Sequence, residues 1–313
     1  AMMGPMGPVG LPERILGAIL FYPPDGQSPS QSQTYIRALF QQPSHHELTN
    51  SDSTLLQVGK NYNPPQSPRP PTPNTHLLPP LLRVMSNRKT ADRLIEAIEA
   101  SGRHYRDSLP MIASENILSP LVRRACDSDL HGRYAEGLPR RRYYQGCDDF
   151  DTIEEIGIES AKRVFNCRFA NIQSTSGTNS NIGALKSLAK PGDKITAVST
   201  ADGGHISHAR MGAVGLRGLD LVTYPWDEER MEPDIDAAAD LIRNEEPSVA
   251  LFGQSVFLFP TPLEELSQAA HEVGAKVMYD AAHVLGLVAG GKFQDPLREG
   301  ADVMTGSSHK TFP

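Results

Sequence analysis

The sequence predicts an α/β fold, a mostly parallel sheet with helices on both faces. Short apolar runs rich in β-branched residues recur at Ile195–Ser199, Leu219–Thr223, Val249–Phe252, Lys276–Tyr279 and Ala301–Met304. Their nearly continuous apolar character fits strands buried on both sides, as in parallel sheets covered by helices. Helical patterns alternate with these runs. The lead-ins PGDK (191–194), VGAK (273–276) and EGAD (299–302) each join a helix end to a strand start. Residues 150–313 therefore read as one α/β layer domain without an internal repeat.

The elements follow in order. Thr90 can cap a helix whose Ala91, Leu94, Ile95 and Ile98 share one face, with Gly102 at its end. Thr152-Ile-Glu-Glu155 reads as a capping box that opens a helix through Ile153, Ile156, Ala161, Val164 and Phe165. Ser176-Gly177-Thr178 precedes a helix of Ile182, Leu185 and Leu188, so its amides form an anion-binding helix start. Thr261-Pro262-Leu263-Glu264 is a second capping box, with proline at the first position and Gly274 as the stop.

The first quarter is different in kind. Fifteen of the 26 prolines fall in residues 1–80. The stretch NPPQSPRPPTPN (63–74) cannot be helical, because each proline lacks a donor and restricts its neighbour. Residues 1–84 thus read as a Pro-rich, low-complexity, disordered tail, with an SH3-type ligand at 67–73 as a lesser reading. ILGAIL (15–20) reads as a short apolar turn with nothing to bury it. The chain opens with Ala1, and Met85 reads as a natural start. Residues 85–150 form an N-terminal helical and extended segment, and 151–313 the ligand-binding large domain.

Composition excludes several function classes. The chain has 313 residues, 39% hydrophobic, and a net charge of −7 with no basic stripe, which argues against nucleic acid as a partner. No run of 18 apolar residues marks a membrane span, and no basic-then-apolar leader stands at the start. Cys126, Cys147 and Cys167, without a CxxC, argue against a disulfide framework or a structural zinc site and for a reducing cytoplasm. They read as small buried hydrophobes.

In open α/β sheets, ligands sit outside the carboxyl ends of the strands. Lys276–Tyr279 runs into Asp280-Ala-Ala-His283, and Ala301–Met304 runs into Thr305 through Thr311 with Lys310 between. Asp280 and Lys310 are 30 residues apart, about one strand–crossover–strand unit. A lysine amine, an acid and an anion cradle at Ser176–Thr178 are together what pyridoxal phosphate needs. Singly, each has an ordinary reading as a surface cation, a turn acid or a turn. His205 and His208, three apart, could pair on a metal, but no third ligand stands in register and no metal is expected. His283 alone would read as a core histidine, Tyr143 and Tyr144 as packing, and Glu136 as a surface acid.

The motifs LPMIASEN (109–116), RYAEGLP (133–139), RRYYQGCDD (141–149), STSGTNSN (174–181), DGGHISH (202–208), YDAAHVLGLVAGG (279–291) and GSSHKTFP (306–313) extend this pattern. From about Leu109 onward the sequence resembles serine hydroxymethyltransferase. DGGHISH and FQDPLREGAD are similar to the archaeal branch. The resemblance implies a fold-type I pyridoxal phosphate-dependent transferase that interconverts serine and glycine and passes a one-carbon unit to a reduced pterin. It implies Lys310 as the Schiff-base lysine, Asp280 as partner of the pyridine nitrogen and His205 as the residue stacked on the ring. His283 and Ser255 would lie by the phenolic oxygen. Ser176, Gly177 and Thr178 would hold the phosphate, with Ser307 and His309 in the strand-end loop. Ser114 would touch the amino acid. Tyr134, Glu136 and Tyr144 would come from the neighbouring subunit of a homodimer, Glu136 handling the proton of the substrate hydroxyl. Thr200, Gly204, His205 and Ile206 would lie near the pterin.

Three departures accompany the resemblance. The chain stops three residues after Lys310, where the family continues through the rest of the large domain and a small C-terminal domain with a carboxylate-clamping arginine. It therefore reads as a truncated large domain, and an inactive fragment is one alternative. Arg140 replaces a glycine, which implies a different turn geometry. Asp202 replaces a histidine common in bacterial relatives, leaving tetrahydrofolate and tetrahydromethanopterin both open as carriers. A threonine aldolase or transaldolase on the same scaffold is the other enzymatic alternative.

Overall fold

Val249-Ala-Leu-Phe252 has no polar side chain on either face, and in the structure it is fully buried inside a seven-stranded sheet. The structure, a computed structural model, describes residues 18–22, 80–256 and 258–312. The readings at 63–74 and 67–73 lie outside the described residues. The chain divides into two compact units, one holding Ala18–Tyr22 and Ser114–Pro313, the other reaching to Ala113. Among the described residues no helix is long and apolar enough to cross a membrane.

The second unit holds α1 (Pro80–Arg106). It runs unbroken past both Thr90 and Gly102, so neither caps nor ends it. A proline is tolerated at a helix's first position, and one interior glycine costs about 1 kcal/mol without breaking the helix. Leu94, Ile95 and Ile98 stand exposed on it.

The first unit contains β1 (Ala18–Tyr22), α2 (Pro120–Cys126), the hairpin β2 (Gly137–Leu138) and β3 (Arg141–Arg142), and α3 (Asp148–Phe165). Next come β4 (Phe169–Ser174), α4 (Gly177–Leu188), β5 (Lys194–Ala197), α5 (Ala213–Leu216) and β6 (Asp220–Thr223). The small hairpin β7 (Trp226–Asp227) and β8 (Glu232–Pro233) leads to α6 (Ile235–Glu245), β9 (Val249–Phe252) and α7 (Leu263–Glu272). β10 (Lys276–Asp280), α8 (Leu285–Ala289) and β11 (Val303–Thr305) close the chain. The sheet order is β4-β1-β11-β10-β9-β5-β6, parallel from β11 to β6, with β1 antiparallel to both β4 and β11.

Alternation along the strands builds a core on each face. Ala250, Phe252, Val277 and Tyr279 pack with Ala238 and Ile242 of α6 and Leu266 and Ala270 of α7. Val249, Leu251 and Met278 pack on the other side with Leu185 of α4 and Val214 of α5. The five expected strands therefore lie where the apolar runs stand, within a residue or two. Two further strands of this sheet escaped the pattern. Asn171 and Gln173 interrupt the apolar run in β4. Ala18–Tyr22 is a strand, not the turn expected at 15–20, because the gap between β4 and β11 offers it ladder partners on both sides.

Neither expected capping box forms. α3 starts four residues before Thr152, whose Oγ1 donates back to the Asp148 carbonyl (3.0 Å). Asp148, Asp149 and Asp151 in the first turn suit the positive helix end instead. α7 takes Pro262 as its N-cap, without a side-chain cap bond. Thr261 is held from elsewhere: its N–H donates to Gln294 Oε1 (2.9 Å) and its carbonyl accepts from Gln294 Nε2 (3.1 Å).

The β2–β3 hairpin is pinned by Arg142, whose side chain is 4% exposed. It bonds Asp151 (2.7 Å), Glu154 (2.6 Å) and the carbonyls of Ala135 and Gly137 (2.7 Å each). Arg140 holds φ at 62°, the left-handed conformation that a glycine adopts freely. The turn thus keeps a glycine-like geometry, contrary to expectation. Contacts offset the strain: the Arg140 N–H donates to Asp151 (2.9 Å) and its guanidinium grips Glu155 (3.0 and 2.8 Å).

Candidate active site

Strands β9, β10 and β11 are parallel, so their carboxyl ends open on one edge of the sheet. Asp280 ends β10 and pairs in register with Thr305, the end of β11. The crossover through α8 thus returns the chain beside Asp280 before it reaches Lys310. Gly253 follows β9 at φ 104°, and a Cβ there would stand 2.2 Å from the Asp280 carbonyl oxygen. Glycine alone permits that approach.

Asp280 is buried. Its Oδ1 accepts from the Ala282 N–H (3.0 Å), and its Oδ2 from Asn181 Nδ2 (2.8 Å) and His208 Nε2 (2.9 Å). Burial opposes the charge, but His208, Asn181 and the Ala282 amide outweigh it and hold the carboxyl well below the usual carboxylate range. Asp280 also supplies the third group that the His205–His208 pair lacked in the sequence, with ligand atoms of all three within 4.8 Å. The contacts favour hydrogen bonding over an ion cage. Two ligands on a tetrahedral ion at about 2.05 Å would stand about 3.3 Å apart, whereas the 2.9 Å His208–Asp280 separation is a direct hydrogen bond.

Lys310 lies in the turn after β11. Burial lowers its amine below the usual lysine value, and the Asp280 charge acts the other way. His283 is pushed down to about 4, by burial first and then by Lys310. Burial likewise lowers His205 and His309. The His205 ring centroid is 5.8 Å from that of His208 and 6.5 Å from that of His283. Lys310, Asp280, His205 and His283 thus form one electrostatic neighbourhood. The Ser255 N–H donates to the Gly203 carbonyl (2.8 Å), and the Ser255 backbone contacts His283.

Beside this cluster, Ser176 caps α4, its Oγ accepting from the Asn179 N–H (3.2 Å). A Cβ on Gly177 would meet the Ser307 Cβ at 3.5 Å, so the helix start abuts the β11 loop. Ser307 is 1% exposed, and its Oγ has no partner among the described residues. A buried, unmatched hydroxyl beside open helix amides calls for an anionic ligand.

The low His283 value has a consequence for stability. Its unfolded imidazole titrates near 6.5 and its folded one near 4, so the folded state binds fewer protons between those values. The stability it contributes is complete above pH 6.5 and falls away as pH drops toward 4. The urea midpoint of the chain should decline across that window, and His283→Gln should flatten part of the decline. An unchanged slope in the variant would remove the assignment.

Comparison with known proteins gives the family. A family model described as serine hydroxymethyltransferase matches residues 88–313. The chain belongs to the serine hydroxymethyltransferase family. It is 54% identical over 220 residues to a serine hydroxymethyltransferase of Methanocella arvoryzae, covering 70% of this chain and 52% of that protein. With the protein of that name from Picrophilus torridus it shares 56% over 209 residues (67% and 48%), and with that from Thermococcus gammatolerans 52% over 229 residues (73% and 54%). The chain spans about half the length of the curated relatives it matches. The match begins at residue 88, earlier than the motifs from Leu109 suggested.

The family resemblance also pointed to Ser114, to the loop after β5 and to Tyr134, Glu136 and Tyr144. Asn116 Nδ2 donates to the Lys310 carbonyl (2.8 Å), which brings the segment carrying half-buried Ser114 to the lysine turn. The pterin-assigned loop follows β5: Gly204 N–H donates to the Ser199 carbonyl (2.8 Å), Gly203 N–H contacts the Thr200 carbonyl (3.4 Å), and Ile206 is exposed. Tyr134 and Tyr144 are exposed, with ring centroids 5.9 Å apart, and the Glu136 carbonyl accepts from the Tyr143 N–H (3.0 Å). Among the described residues no hydrogen bond or ring contact joins these three to the Lys310 cluster. Of the cysteines, Cys147 and Cys167 are buried and Cys126 is half-buried. Asn181 and Thr305 had no assigned role in the sequence. The signal for Thr305 was its place at the end of the strand next to Asp280; that for Asn181 was its place at the end of STSGTNSN, a motif read only for its Ser-Gly-Thr turn.

Proposed function

We propose that this chain is the cofactor-binding part of a pyridoxal 5'-phosphate-dependent serine hydroxymethyltransferase. Such an enzyme interconverts serine and glycine and transfers a one-carbon unit to a reduced pterin, tetrahydrofolate or tetrahydromethanopterin. The observation that carries the reading is the meeting of three groups at the strand ends: a desolvated Lys310 amine, an ionised buried Asp280, and the unmatched Ser307 hydroxyl beside the α4 start. These residues fit the cofactor's aldehyde, ring nitrogen and phosphate in turn.

When bound, that cofactor supplies a sink for the electron pair released at the substrate Cα. The chain does the rest. Lys310, with its amine value lowered by burial, offers a neutral nucleophile nearer neutral pH than an exposed lysine does. Asp280, held ionised, would bind the ring nitrogen and favour its protonated form. His205 is assigned to the ring face, and His283 with Ser255 to the phenolic oxygen. Ser176, Gly177, Thr178, Ser307 and His309 hold the phosphate. Ser114 binds the amino acid. Tyr134, Glu136 and Tyr144, which flank the Arg142-pinned hairpin, complete the site of a second copy in a homodimer, where Glu136 moves the proton of the substrate hydroxyl. Thr200, Gly204 and Ile206 face the pterin. The free cysteines support a reducing cytoplasm as the setting.

Incubation with pyridoxal 5'-phosphate, borohydride reduction and peptide mass analysis test the reading. A pyridoxyl adduct should appear on Lys310 and vanish in Lys310→Ala. An adduct confined to other lysines would overturn it.

A further inference from the structure

We infer that Asn181 and Thr305 are positioning residues that fix how Asp280 and His205 are presented to a bound pyridine ring. The inference rests on the reading above and adds residues to it.

The Asn181 side-chain amide is buried and its polar contacts are all internal. Its Nδ2 donates both to Asp280 Oδ2 and to Ser207 Oγ (2.8 Å each). Its Oδ1 accepts from Thr305 Oγ1 (2.7 Å). Ser207 Oγ in turn bonds His205 Nδ1 (2.7 Å). One amide therefore reaches the acid assigned to the ring nitrogen and, through one hydroxyl, the imidazole assigned to the ring face. Asn181, Ser207, Thr305 and His208 are each no more than 1% exposed, so water does not replace a lost contact.

Orientation is the point. An amide can flip, and flipped here its oxygen would face the Asp280 carboxylate. The Asp280 carboxylate only accepts and so selects the Nδ2 end, and Thr305, whose hydroxyl donates to Oδ1, holds the amide in that orientation. It can do so because strand register sets Thr305 directly beside Asp280. With Asn181 and His208 on Oδ2, the Oδ1 edge, which takes a single backbone N–H, is left for the ring nitrogen.

The test compares binding of pyridoxal 5'-phosphate with binding of its 1-deaza analogue, in which carbon replaces the ring nitrogen. The full chain should prefer the nitrogen-containing ligand. Thr305→Val should weaken that ligand up to about tenfold, the upper size of one buried hydrogen bond between neutral groups. It should leave the 1-deaza analogue within about twofold, so the preference narrows. Thr305→Ser should restore it, and Asn181→Leu should narrow it as Thr305→Val does. A merely structural role would weaken both ligands together, and that result, or an unchanged preference in both variants, overturns the inference. A full chain that binds the two ligands equally would instead fault the Asp280 assignment under Proposed function.

Discussion

Asp280→Ala should destabilise the chain by about 3–5 kcal/mol, because it breaks a buried pair and leaves donors without an acceptor. Asn181 Nδ2 keeps Ser207, but His208 Nε2 and the Ala282 N–H lose their partner in a site closed to water. A domain's whole margin is roughly 5–15 kcal/mol, so the urea midpoint should drop visibly at neutral pH. Asp280→Asn preserves shape and should cost less, although one end of its amide then faces a donor. Both should weaken pyridoxal 5'-phosphate binding about a hundredfold or more, as expected for removing one partner of a buried charge pair. An unchanged urea midpoint for the alanine variant would refute the network.

Gly253→Ala should be nearly as damaging, although it adds a single methyl. The new Cβ would sit 2.2 Å from the Asp280 carbonyl oxygen and 2.9 Å from its backbone carbon and nitrogen. Backbone atoms in a central strand cannot swing aside, so β9 and β10 must separate. Overpacking and a side chain at φ 104° together should cost about 3 kcal/mol or more. Gly274→Ala is the matched control: its φ is 77°, but its Cβ would meet nothing within 4 Å. It should lose only the backbone preference, about 1 kcal/mol. Equal urea midpoints for the two variants would show that close approach at Gly253 is unimportant.

The legibility of the fold tracks local signal. Val249–Phe252 and Lys276–Tyr279 were readable because strands buried on both faces have no polar positions to blur them. β4 was lost because it sits near the sheet edge, half-buried throughout, where Asn171 and Gln173 are tolerated. The capping boxes at Thr152 and Thr261 misled because a threonine two or three residues before a glutamate is common. Whether it caps depends on which neighbours compete for the helix start, as the three aspartates do at α3.

The sequence alone pointed to Lys310 and Asp280 through the apolar runs they follow, and to the Ser176 turn through the helix it precedes. It also carried the family, through motifs whose spacing reflects that order. The tertiary structure decided which groups share one environment. It set Thr305 beside Asp280 by strand register, brought Asn181 in from a helix 99 positions away in the chain, and turned His208 from a doubtful metal ligand into the partner of a carboxylate. The physical reason is that charge and hydrogen bonding in a buried site depend on through-space distance, which no sequence interval encodes.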